Sequence, residues 1–363
     1  MAPCAHAEDA QVVVIGVAGP LTGESANLGK DSEAGARLAV DELNHSGLSI
    51  DGKKITLKLQ SEDDAADPRT ATQVAQRLVD GHVSAVIGHV NSGCSIPASK
   101  IYNDAGIPEL SPASSNPAYT AQGFKTTFRL IASDAQQAPA IADFARKTLK
   151  VKTVAIVDDA TAYGQGLATE FEKRAKELGI NVLSHDETNT KAVDFRAILT
   201  KIKAEKPDAI VYGGVDATGG PLARQARQLG IASKIVGGDG LCSTRMAQLA
   251  GDAAGDVYCT EGGRAIEKMN GGATFNASFK QRYGDAPQVF APFSYEAVYV
   301  LADAMKRANS TQPDKILAVL PATNYSGLLG VLAFDAHGNV RDGTVSVYSF
   351  RNSRKTLIEE VGL

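Results

Sequence analysis

Val86–Thr120 reads VIGHVNSGCSIPASKIYNDAGIPELSPASSNPAYT, and its pattern decides how the chain folds. Apolar segments at Ser84–Gly88 and Ile107–Leu110 each run straight into a loop of Ser, Asn, Gly and Pro, and each loop leads toward helix-like sequence. Strand, loop and helix in alternation imply a parallel sheet, whose loops gather at the carboxyl ends of the strands, where open α/β folds bind small molecules. Backbone N–H groups at the start of the next helix, with the helix dipole behind them, favour an anion there. The hydroxyls of Ser92, Ser95, Ser111, Ser114 and Ser115 can add donors, although serine also caps helices in any such loop.

Working outward, the same rhythm holds on both sides. Val12–Val17 is a continuous apolar, β-branched run, the mark of a strand buried on both faces. Gly19-Pro20-Leu21-Thr22-Gly23 breaks it, a helix is expected over Asn27–Leu43, and Gly47 stops that helix. Ile55–Leu59 alternates as a strand, and Pro68 suits the first turn of a helix over Asp67–Val79. A helix over Ser95–Gly106 and a short strand at Phe128–Ile131 follow. Strands at Thr153–Val157, Asn181–Ser184, Ala209–Tyr212 and Lys234–Val236 then alternate with helices near Gly166–Leu178, Val193–Glu205 and Pro221–Leu229. A strand near Asp256–Thr260, helices at Phe275–Tyr283, Tyr295–Ala308 and Asp314–Leu320, and strand pairs near Leu328–Phe334 and Thr344–Phe350 complete the chain.

With 363 residues, two domains are expected. The fold class read from this alternation is α/β: two doubly wound, Rossmann-like lobes with the chain crossing between them more than once. Phe128–Ser133 and Glu261–Ala265, the latter with Gly262-Gly263, look like crossings, because glycine tolerates the dihedral changes of a hinge. The lobes are expected to comprise 8–133 plus 263–343, and 134–262 plus 344–363.

Composition narrows the function. A net charge of −4 with 44% hydrophobic residues argues against a nucleic-acid or anionic-membrane surface, and no apolar run reaches the roughly 18–20 residues of a membrane span. Met1–Ala7 reads MAPCAHA. Ala5-His6-Ala7 fits the small-x-small end of a secretory signal, so residues 1–7 are read as a signal-peptide remnant and the protein as exported to the periplasm. In an oxidising compartment Cys242 and Cys259 are the expected disulfide pair, leaving Cys94 a buried thiol. No CxxC or His/Cys cluster suggests a metal.

Enzyme signatures are missing. GxGxxG does not occur, and Gly23–Lys30 resembles a P-loop but separates its glycines by five residues and puts Asp31 where Ser or Thr must reach Mg²⁺. The elbow G-x-S-x-G is absent around Ser92, the six histidines are dispersed, and Asp63-Asp64 and Asp158-Asp159 suit turns after strands. No enzyme, cofactor or metal is therefore expected. What remains is a cleft lined by loops of both lobes: Ser92 and Ala113–Ser115 from the first, Tyr163 and Asp239 from the second. Asp239, held between glycines, serves either a tight Asp-Gly turn or a ligand cation. An anion site opposite one carboxylate suits a zwitterion.

The segments VIGHVNSGCSIPASKIYNDAGIPELSPASSNPAYT, AIVDDATAYGQG, IVYGG and VGGDG, with AGPLTG near the start and FDAHGNV near the end, resemble the leucine/isoleucine/valine-binding proteins of bacterial ABC importers in order and spacing. The resemblance implies a type I periplasmic binding protein architecture with a multi-segment hinge. It implies that Ser92 and Ser115 hold a ligand carboxylate, that the Ala113 carbonyl and Asp239 take an ammonium, and that Tyr163 closes over from the second lobe, with Phe290 as an aromatic near the pocket. The chain also departs from the family: Asp239 stands where Glu is frequent, Val215 and Leu28 where tyrosines are usual, and Ala66 and Asn91 where some relatives carry a cysteine pair. The expected function is capture of an amino acid, aliphatic or branched-chain, by a monomer that delivers it to an inner-membrane ABC permease. A ligand-sensing receptor domain of the same fold and a binder of a carboxylic acid lacking an amine are the alternatives.

Overall fold

A computed structural model describes Ala10–Arg341 and Gly343–Gly362; the expected signal remnant at 1–7 lies outside these residues. The strands of the first sheet are β1 (Gln11–Gly19), β2 (Ser49–Ile50), β3 (Lys53–Asp63), β4 (Ala85–Ile87), β5 (Glu109–Ser111) and β6 (Thr127–Arg129). They lie in the order β2-β3-β1-β4-β5-β6, parallel except for the β2–β3 hairpin. The second sheet holds β7 (Thr153–Asp158), β8 (Asn181–Glu187), β9 (Ala209–Gly213), β10 (Lys234–Gly237) and β11 (Val257–Glu261). A small hairpin, β12 (Asn324–Gly327) with β13 (Gly330–Ala333), intervenes before β14 (Thr344–Arg351) and β15 (Arg354–Gly362) join the second sheet. Its order is β15-β14-β11-β10-β9-β7-β8.

Both sheets repeat one plan. In the first sheet β1 lies between β3 and β4, and in the second β7 lies between β8 and β9, so the winding direction reverses beside each and leaves a crevice at the carboxyl ends. The second sheet is not wholly parallel, because β14 runs antiparallel to β11 and β15 antiparallel to β14. Helices cover both faces, as buried strands such as β9 demand: all five of its residues are buried.

Most helices lie where their sequence places them, within a few residues. Asp67 caps the helix Pro68–Asp80 by accepting the Thr70 N–H, and Gly47 ends the helix Ala26–Ser46 in the left-handed region at φ 80. One helix, Asp134–Lys147, has no counterpart in the periodicity reading. Pro139 interrupts its pattern, and its buried face sets Asp134 and Gln137 among small alanines, so the apolar stripe is weak. Its sequence signal is the capping box Ser133-x-x-Gln136.

The chain crosses between the lobes three times: between β6 and the helix Asp134–Lys147, after β11, and between β13 and β14. The crossings are laced together. Ala132 donates its N–H to the Gly262 carbonyl at 2.9 Å, and Ser346 Oγ donates to the Gly263 carbonyl at 2.7 Å. A disulfide joins Cys242 to Cys259, while Cys94 is a buried free thiol.

Candidate functional site

Every group of the site stands at a strand's carboxyl end or a helix start. In the first lobe Leu28 lies in the opening turn of the helix after β1. Asn91 and Ser92 open the helix Ser92–Ala105 after β4, and Ala113 and Ser115 follow β5. From the second lobe come Tyr163 in the first turn after β7, Val215 just before the helix Asp216–Gln228, and Asp239 at the head of a 3-10 turn Asp239–Leu241. Phe290 immediately precedes the helix Ala291–Ala308. Leu28, Asn91, Ser92, Ala113, Tyr163, Val215, Asp239 and Phe290, with Val90 and Gly240, border one small cavity of about 20 Å³.

The serines divide into two groups that the sequence does not distinguish. Ser95, Ser111 and Ser114 turn their hydroxyls onto the His89 carbonyl, at 3.1, 2.9 and 3.2 Å. They knit the strand-end loops together and do not line the cavity. Ser92 borders the cavity and accepts the Asn116 N–H at 3.2 Å, so its own O–H proton is left to donate. Ser115 is fully buried and is not among the bordering residues, yet its Oγ has no hydrogen-bond partner among the described residues. The Asn91 Oδ1 is also buried without a partner. Unpaired buried polar atoms cost free energy, and a polar ligand would remove that cost.

The other side of the site is acidic. Asp239 is 2% exposed and accepts a hydrogen bond from Gln137 Nε2 at 2.9 Å. Burial pushes its pKa up to about 6, against the pull of Gln137, Tyr163 and the Gly240 N–H. Tyr163 is itself fixed, since its hydroxyl accepts the Gly240 N–H at 3.0 Å. Gly238 is required by this packing: a Cβ there would stand 2.6 Å from the Tyr163 hydroxyl oxygen. Asp239 thus lies in a 3-10 turn, not in a tight two-residue turn.

Two residues that sequence reasoning missed stand beside Asp239, both on the unrecognised helix. Gln137 donates to Asp239 and to the Ala132 carbonyl at 2.8 Å, and accepts from Thr260 Oγ1 at 3.0 Å, so it ties the acid to two crossings. Asp134 is fully buried with neither oxygen hydrogen-bonded. Burial and the neighbouring Asp239 raise its pKa to about 8, partly offset by the nearby Ser115 hydroxyl and the Arg129 charge. Two buried carboxylates that disfavour each other's ionisation form a site that a cation would relieve.

Asp31, placed by sequence in a failed P-loop, has a different task. Its carboxylate accepts the N–H groups of Gln288, Val289, Phe290 and Ala291 at 2.8–3.0 Å, capping the helix behind Phe290 and fixing that ring's backbone. The lobes meet around the cavity. Asn27 Nδ2 donates to Asp216 Oδ2 at 3.1 Å, while Arg245 Nη1 donates to Asn27 Oδ1 at 2.9 Å and to the Glu24 carbonyl at 3.2 Å. On the opposite rim Asn116 Nδ2 donates to the Ala162 carbonyl. Among the described residues no group of three His, Cys, Asp or Glu side chains is placed to hold a metal ion.

The chain was compared with known proteins. Residues 12–355 match the periplasmic binding protein family. The Leu/Ile/Val-binding protein homolog 1 of Brucella abortus is 35% identical, over 90% of this chain and 87% of that protein. The leucine-, isoleucine-, valine-, threonine-, and alanine-binding protein of Pseudomonas aeruginosa is 32% identical, over 94% and 90%. Among solved structures, the branched-chain amino acid transporter substrate binding protein LivJ of Streptococcus pneumoniae, in complex with isoleucine, superimposes with a TM-score of 0.88 at 29% identity, covering 97% of this chain and all of that one. Two doubly wound lobes, a cleft between their strand ends and a family match over nearly the whole length agree: the chain belongs to the periplasmic binding protein family.

Proposed function

We propose that the protein is an extracytoplasmic solute-binding protein that captures an aliphatic α-amino acid between its lobes and delivers it to an ABC importer. One observation carries this reading: buried Asp239 of the second lobe and the Ser92 hydroxyl and unpartnered Asn91 Oδ1 of the first border one cavity whose walls also include Leu28, Val215 and Phe290. The carboxylate of such a ligand lies on Ser92 and Ser115, and its ammonium bridges the Ala113 carbonyl and Asp239 with Tyr163 beside it. The side chain enters the apolar wall, with Asn91 at its edge. The Brucella and Pseudomonas relatives, named for binding branched-chain and small amino acids, support this class.

The mechanism is capture. The ligand is the only group that satisfies both half-sites, so binding favours the closed arrangement of the lobes, 8–133 with 263–343 and 134–262 with 344–363. The closed monomer then docks on an inner-membrane permease, which places the protein in the periplasm with its export signal removed.

A thermal-shift screen tests the reading. A ligand that binds only the folded state adds about 4 kcal/mol at roughly a thousand times its Kd. L-Leucine, L-isoleucine, L-valine and L-alanine are expected to include stabilising ligands, and 4-methyl-2-oxopentanoate, which lacks the amine, is expected to do nothing. A shift with the oxo acid and none with any amino acid would replace the amino acid by a simple carboxylic acid.

A further inference from the structure

The sequence segment FDAHGNV, Phe334–Val340, has no part in the cavity, yet its hydrogen bonds lead directly to the ligand loop. We propose that this turn is a positioning element: Asn339 aims the buried Arg129 guanidinium, and Arg129 clamps the backbone on both sides of Ser115 so that its hydroxyl faces the cleft. The proposal rests on the reading that Ser115 binds a ligand carboxylate.

The connections run as a chain of single contacts. Arg129 ends β6 and is fully buried. Its Nη1 donates to the Ser114 carbonyl at 2.8 Å and the Asn116 carbonyl at 2.9 Å, those of the residues on either side of Ser115. Nη2 donates to Thr120 Oγ1 at 2.9 Å and Nε to Asn339 Oδ1 at 3.1 Å, with the Tyr119 ring 5.6 Å from the guanidinium carbon. A rigid, planar guanidinium fixed at Nε has one orientation for its Nη donors. None of its hydrogen-bond acceptors is a carboxylate, so the cation is held by backbone and neutral side chains that it must satisfy in turn.

Asn339 is itself aimed. Asp335 Oδ1 accepts the His337 and Asn339 N–H groups at 2.8 and 2.9 Å, closing the turn, and Asp335 Oδ2 accepts from Asn339 Nδ2 at 3.2 Å. That fixes which end of the amide is oxygen, and the oxygen meets both Arg129 Nε and Thr120 Oγ1, the latter at 2.9 Å. Gly338 lets the turn lie on the edge of β6. It sits at φ +86, and a Cβ would run into the Thr127 carbonyl. Arg129 N–H donates to the Gly338 carbonyl at 2.8 Å, Val340 N–H donates to the Arg129 carbonyl at 3.1 Å, and the Phe334 ring packs on Phe128 at 5.0 Å. The turn lies between β13 and β14, on the third crossing between the lobes. One arginine therefore joins a hinge segment to the loop that carries Ser115.

Asn339→Ala tests the clamp, with His337→Ala, an exposed side chain of the same turn, as the control. Two quantities are read: amide hydrogen exchange at 113–116 without ligand, and the ratio of L-leucine to L-leucinamide affinity by calorimetry, which isolates the carboxylate. Asn339→Ala is expected to speed exchange at 113–116 at least tenfold, with distant segments unchanged, and to shrink the leucine preference about tenfold; His337→Ala does neither. A general loss of packing would weaken both probes equally and raise exchange throughout. Unchanged exchange at 113–116, or an unchanged leucine preference, overturns the proposal. If the unaltered protein binds neither probe, the amino-acid reading fails by itself, and the exchange result still decides for or against the clamp.

Discussion

Asp239→Asn removes a charge while keeping the loop. Gln137 Nε2 stands 2.9 Å from Asp239 Oδ2, so an asparagine can turn its carbonyl to the same donor and preserve the 3-10 turn. A ligand ammonium would then be taken out of water without its counter-charge, a loss of about 3–5 kcal/mol. At about 1.4 kcal/mol per decade, L-leucine should bind roughly two to three and a half decades more weakly. The pH dependence gives an independent check. Burial lifts the Asp239 carboxyl to about 6 in the free protein, and a bound ammonium must lower it, so protons and ligand compete. Affinity of the unaltered protein should be flat above about pH 7 and fall about tenfold per unit well below pH 6. The other groups facing Asp239 do not mimic this. Asp134, raised to about 8, holds its proton across the fall below pH 6 and ionises only toward pH 8, where it would strengthen binding and not weaken it; burial pushes the Tyr163 phenol well above its ordinary value, and Gln137 does not titrate. Calorimetry at pH 5, 6, 7 and 8 on both proteins measures each effect. An Asn variant that binds L-leucine within threefold of the original, with the same pH slope, would refute the assignment of Asp239 as the ammonium's partner.

Asp134 bears on stability. Its carboxyl holds a proton up to about pH 8 in the folded chain against an ordinary value of 3.8, so the folded state binds more protons than the unfolded between these values and stability falls as pH rises, by at most about 1.4 kcal/mol per unit. Asp134→Asn should therefore gain melting temperature relative to the ligand-free original as pH goes from 5 to 8, and parallel melting curves would exclude it. Asn27→Ala removes two of the hydrogen bonds that link Asp216 and Arg245 to the first lobe and leaves the one from Arg245 to the Glu24 carbonyl. Two such hydrogen bonds at about 1 kcal/mol each should speed L-leucine release by roughly tenfold or more without touching the ligand; an unchanged stopped-flow dissociation rate would show that this contact does not hold the closed form.

The strand–loop–helix alternation was legible because a doubly wound sheet imposes local periods: continuous apolar strands such as Val12–Val17, then polar loops, then helical spacing. The ends of those strands also carried the site's side chains, since in a parallel sheet every such loop must emerge on one side. Ser92, Ala113, Tyr163, Val215 and Asp239 were thus accessible to reading, and the structure gathers them at one cavity. The sequence could not divide its serines. Ser95, Ser111 and Ser114 converge on a single carbonyl, that of His89, and only the packing of three separate segments brings it within their reach. Nor could it supply Asp134 or Gln137, which meets Asp239 across about a hundred residues; both lie on a helix whose buried face mixes polar side chains with small alanines, so that its apolar stripe is weak. Arg129 and Asn339 are a similar case, polar residues 210 positions apart that meet only when the chain returns to the edge of β6. The raised pKa values of Asp134 and Asp239 are tertiary as well. Local sequence sets which groups can ionise, but the free energy of ionising them depends on the water and charges that folding removes or brings near.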